Sequence, residues 1–69
     1  MMNPEEPPIL VSIIIPHHNN KDILLDCLKS LYQSSYQNFE IIVVDNASVD
    51  DSINHVHINY PEVTIIKSL

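Results

Sequence analysis

Apolar residues recur along the chain with two different periods, and the switches between them mark out five elements. Ile9 to Ile15 reads Ile-Leu-Val-Ser-Ile-Ile-Ile, apolar at successive positions on both sides of a pleat. That is the composition of a strand covered on both faces of a parallel sheet. Pro16 is expected to end it, because proline cannot donate to a ladder. The polar run His17-His18-Asn19-Asn20 follows, with Asn19 or Asn20 placed to cap a helix that continues to Tyr32–Ser34. In that helix Leu24, Cys27, Leu28 and Leu31 fall at i, i+3, i+4 and i+7, while Lys21, Asp22, Asp26 and Lys29 mostly avoid the stripe. Cys27 is therefore read as a core thiol. Ser34 to Asn38 is turn-like, and Phe39 to Val44 returns to a β-branched run, a second buried strand.

Ser48 can cap a second, shorter helix, with Asp51 three positions on reaching back in a weak form of the capping box. Its stripe comprises Ile53, Val56, His57 and Tyr60, with His57 partly packed and His55 solvated, and Pro61 closes it. Val63 to Ile66 reads as a third strand. About two dozen residues separate the first two strands, too many for a hairpin, so the connections are crossovers and the sheet is parallel. The expected fold is α/β, a partial Rossmann-like unit of three parallel strands in order 3-2-1 with two crossover helices. Residues 1–8, with three prolines and two glutamates, read as an extended lead-in, leaving 9–69 as the folded unit.

Composition adds mostly exclusions. With 69 residues, 45% of them apolar, and a mean hydropathy of +0.04, the chain suits one small domain with a compact core. Nine acids face three lysines and no arginine, for a net charge of −6, which argues against a surface tracking nucleic-acid phosphates. No apolar run approaches membrane-spanning length, and the start lacks the regions of a signal peptide, so a cytosolic location is the default expectation. A single cysteine allows no internal disulfide. Glycine is absent altogether, which excludes both the dinucleotide fingerprint and the Walker A loop.

Ligands of open α/β sheets bind beyond the carboxyl ends of the strands, and here those ends carry Pro16-His17-His18-Asn19 and Asp45-Asn46-Ala47-Ser48. Asp45, after four aliphatic residues, can accept hydrogen bonds from a ligand while ionised; equally, it can serve the amides of the turn that follows. His17 and His18 lack the neighbouring ligands a metal site needs. One of the two imidazoles stacking on a nucleobase competes with plain loop surface. Asp50 and Asp51 stand at a helix start, where the macrodipole favours negative charge.

With these residues placed, the sequence resembles the opening of a family 2 glycosyltransferase. The resemblance rests on Val11-Ser-Ile-Ile-Ile-Pro-His-His-Asn19, Cys27-Leu-Lys-Ser-Leu-Tyr-Gln-Ser-Ser-Tyr-Gln-Asn-Phe-Glu40 and Ile41-Ile-Val-Val-Asp-Asn-Ala-Ser-Val-Asp50, in the family's order and spacing. It implies the N-terminal half of a GT-A fold and a nucleotide-sugar donor of UDP or dTDP type, with Pro16, His17, His18, Asn19, Asp45 and Asn46 holding base and ribose. His18 replaces a tyrosine common in the family, His17 a small residue, and Asn46 a second aspartate. The family's Asp-x-Asp element, which binds Mg²⁺ or Mn²⁺, has no counterpart in these residues. The resemblance therefore implies a divalent cation for the full-length parent, its ligands missing here, and a chain inactive by itself. For that parent, attachment at a membrane surface is compatible with the cytosolic default.

Two readings from other classes stand beside it. A receiver domain would also end a strand in Asp-Asn, but its phosphorylated Asp ends a third strand, and Val63 to Leu69 has none. A small non-catalytic α/β remnant would associate through its open edge. In order 3-2-1 the strand 9–15 is that edge, long and uncharged, so self-association through it is expected, with Ile13 as the position where a lysine would blunt it.

Overall fold

A computed structural model describes residues 9–68, in the order β1 (Val11–His17), α1 (Lys21–Tyr32), β2 (Phe39–Asn46), α2 (Ser52–Asn59) and β3 (Thr64–Ser68). The lead-in at 1–8 lies outside the described residues. The strands form one parallel sheet in the order β1-β2-β3, which is the expected 3-2-1 order met from the opposite edge. The fold is α/β, as the alternation of periods predicts.

Register fixes which side chains share a face. Ile13, Ile15 and His17 of β1 stand beside Ile41, Val43 and Asp45 of β2, and Val43 and Asp45 stand beside Ile65 and Lys67 of β3. This face packs on both helices. Leu24 and Leu28 of α1, Val56 of α2, Ile41 and Val43 of β2, and Val63 just before β3 form the buried core, with Ile13, Ile15, Leu31, Ile53 and Ile65 partly buried against it. Since α1 and α2 also touch each other, the molecule has two layers, helices on one side and sheet on the other. The opposite face of the sheet is bare among the described residues: Ile14 is 63% exposed and Ile66 51%. Continuous apolar runs look alike whether one face or both are covered, so the double coverage expected of β1 is corrected to single coverage.

Pro16 does not end β1, which continues through it to His17. The Val11 amide donates to the Asn38 carbonyl, so odd-numbered amides of β1 point toward β2 and even-numbered ones point off the edge. Pro16, even-numbered, therefore forfeits no ladder bond.

Helix α1 starts without a side-chain cap. Asn20, at its N-cap position, sits in the left-handed region with φ 66°, and the Asn19 side chain bonds elsewhere. Asp22 in its first turn and Lys29 in its last complement the macrodipole. The helix stops where the Gln33 and Ser34 amides fold back onto the carbonyls of Lys29 and Leu31. Cys27 is exposed, because the buried side of α1 is narrower than the stripe suggests and centres on Leu24 and Leu28. Ser48 does not cap α2, whose N-cap position is Asp51, again without a side-chain cap bond. His57 is exposed and His55 half-buried, the reverse of the expected pair.

Tyr32 lies 5.6 Å from Phe39 and stacks on Tyr60 at 5.3 Å, where both helices end and β2 begins. This aromatic plug closes the amino end of the sheet. Burial pushes the Tyr32 phenol up to about 12, and a hydrogen bond to the Glu62 carboxylate adds to the rise.

Candidate nucleotide site

At the carboxyl end one rung crosses the whole sheet, from His17 through Asp45 to Lys67. His17 and Asp45 are buried, 8% and 4% exposed. A carboxylate withdrawn this far needs partners. Among the described residues the bond recorded for Asp45 is a long one, 3.4 Å, from the Ser48 amide to Oδ1. Its remaining lone pairs are available to a ligand.

His17 is locked from behind. Ser52, fully buried, donates its hydroxyl to Asp50 Oδ1 at 2.5 Å and its amide to the same oxygen at 3.2 Å. Its oxygen therefore accepts from His17 Nε2 at 3.0 Å, which fixes that ring as the Nε2–H tautomer. The Ser52 hydroxyl, with the Ser52 amide adding to it, holds the Asp50 carboxyl below its usual range.

The two strand-end loops are laced together by Asn19. Its amide donates to Ser48 Oγ at 2.7 Å. Its side-chain oxygen accepts from the amides of Val49 at 2.8 Å and Asp50 at 3.3 Å. Its side-chain nitrogen donates to His18 Nε2 at 3.3 Å. His18 in turn donates from Nδ1 to the Asn46 carbonyl at 2.5 Å, so both ring nitrogens are engaged while the imidazole stays exposed. Holding this shape without glycine places Asn19, Asn20 and Ala47 at positive φ, 52°, 66° and 55°. Asparagine tolerates that region; for alanine it costs about 1 kcal/mol.

Behind the rung opens a cleft of about 400 Å³, lined by Asp45, Ser48, Asp50, Asn54, His57 and Lys67 among others. The structure thus brings His18, Asn19, Asp45 and Asn46 together around one end of the sheet. It turns Pro16 outward on the bare side and His17 inward onto Ser52. Asn54, His57 and Lys67 also line the cleft, and the sequence does not show this because they join Asp45 only when α2 and β3 fold beside it.

The acidic residues here do not fit a divalent cation. Asp50 is bonded to Ser52, Asp51 is paired with Lys21 and His55, and among the described residues no group of three or more His, Cys, Asp or Glu could hold a metal ion. Also among the described residues, no helix is long and apolar enough to cross a membrane.

Residues 12–68 match Glycosyl transferase family 2. The chain belongs to that family. Among its relatives, the glycosyltransferase GlyG of Streptococcus pneumoniae is 40% identical over 62% of this chain and 14% of its own length. A poly(ribitol-phosphate) beta-glucosyltransferase of Bacillus spizizenii is 36% identical over 83% of this chain and 10% of its own length. An Escherichia coli enzyme, UDP-Glc:alpha-D-GlcNAc-diphosphoundecaprenol beta-1,3-glucosyltransferase, is 44% identical over 62% and 17%. This chain thus spans less than a fifth of the length of these three relatives. In fold it is similar to the mannosyltransferase PcManGT of Pyrobaculum calidifontis, solved with GDP-Man and Mn²⁺, with a TM-score of 0.66 at 22% identity over 96% of this chain and 20% of the other. The three-stranded unit is therefore GT-A-like.

Proposed function

We infer that this chain forms the nucleotide end of a glycosyltransferase donor site, taking the base and ribose of a nucleotide sugar whose glycosyl group passes to an acceptor hydroxyl. The observation that carries the reading is Asp45, a buried carboxylate at the carboxyl end of the central strand with acceptor capacity left open toward a cleft. In this reading Asp45 accepts from the base N–H. The His18 ring, fixed at both nitrogens with its face exposed, stacks on the base. His17, Asn19 and Asn46 hold the two loops in place, while Pro16 faces away from the cleft. A UDP-type or dTDP-type donor is the expected class.

The test is an amide-shift titration with UDP, dTDP and GDP. Shifts should centre on residues 17–19 and 45–48, with a millimolar dissociation constant as the approximate expectation for so few contacts. Asp45→Ala should remove them. Shifts confined to the bare sheet face would reject the assignment.

A further inference from the structure

The cleft behind Asp45 holds one ammonium whose role the site described so far leaves open. Lys67 stands on the same rung and face as Asp45 and lines the cleft with it. Among the described residues the recorded ion pairs take up Lys21, His55 and Asp51, and none involves Lys67. Carboxylates of Asp45, Asp50 and Asp51 line the same space, and of these Asp51 is paired with Lys21, so a phosphate entering there would still meet more negative charge than positive. A neutral group offering an N–H and a carbonyl side by side meets no such penalty. Asp45 accepts from the first and Lys67 donates to the second.

We propose that Lys67 is a nucleobase-contacting residue, its ammonium donating to a carbonyl oxygen on the base edge whose N–H is accepted by Asp45. This rests on the nucleotide reading of the Asp45 end and adds to it the element that recognises the base. The base lies across the β2–β3 side of the sheet end, and the phosphates point away from the acidic cleft.

The experiment titrates uridine and UDP in parallel into the full chain and into its Lys67→Met and Lys67→Gln variants. Lys67 is exposed, so both variants should keep the dispersed amide spectrum of the parent. Lys67→Met should weaken uridine and UDP by the same factor, about fivefold, as expected for one partly solvated hydrogen bond. Lys67→Gln, still a donor, should retain most of the affinity for both. A loss confined to UDP would show that the ammonium meets phosphate and overturn the proposal, as would an unchanged affinity for both ligands in Lys67→Met. Failure of uridine and UDP to bind the unsubstituted chain would instead reject the nucleotide reading itself, and this inference with it.

Discussion

Ser52 joins two halves of the site that lie far apart in sequence. Replacing it with alanine leaves the buried His17 Nε2–H without an acceptor, and a donor stranded in that way costs about 1–2 kcal/mol. Urea unfolding of Ser52→Ala should show a loss of that size. The same substitution removes the main cause of the low Asp50 pKa, so carbon-detected titration should find Asp50 moved up toward the ordinary 3.8. Asp51, lowered chiefly by its bond to Lys21 and next by His55, should stay where it is. Both carboxyls are depressed in the folded chain, so the stability they contribute is complete above the unfolded value of 3.8 and is lost as pH falls through their lower folded values. Asp45 and the His17–Asn19 loop are legible in the sequence because a polar residue directly after an aliphatic run marks a strand's end. The His17–Ser52 bond and the lacing by Asn19 are not, since their partners stand 29 to 35 residues away and meet only once the loops dock.

The strands, the helices and their parallel order follow from alternating periods, and β2 lies within two residues of its expected bounds. What the periods cannot convey is coverage. Ile13 and Ile14 are chemically identical neighbours, yet Ile13 packs toward the helices and Ile14 toward solvent, so the lysine that would blunt the β1 edge belongs at 14, not 13. Even-numbered amides of β1 point off that edge, beside an uncharged apolar strip, and this is a template for pairing with another strand. Sedimentation should find the chain associating at high micromolar concentration, and Ile14→Lys should shift it toward monomer with its fold intact. Ile13→Lys, by contrast, should lose structure. The helix ends make a separate prediction. Tyr32, its phenol near 12 against an ordinary 10.0, favours folding while protonated, so stability should hold up to about pH 10 and fall as pH rises toward 12. Tyr32→Phe should flatten that alkaline loss, measured by circular dichroism across the range.

Among the described residues, six buried apolar side chains make up the core. Leu28, fully buried at its centre, makes the sharpest case: Leu28→Ala should cost about 2–5 kcal/mol. Folded chains hold only about 0.05–0.15 kcal/mol per residue, so the variant should be largely unfolded at 37 °C by far-ultraviolet dichroism. With no cation cage among the described residues, the chain alone is expected to bind a donor without turning it over, and release of UDP from a UDP-sugar, scaling with purified chain, would contradict that. The uncovered face of the sheet has a thermal consequence as well. The heat capacity of unfolding tracks the apolar surface newly exposed to water, and Ile14 and Ile66 are already wet in the folded state. The increment should therefore fall below the usual value of about 12–15 cal/mol/K per residue. Calorimetry should record a low, broad transition and a stability curve flat in temperature, so that cooling strengthens this chain less than it strengthens a domain packed on both sides.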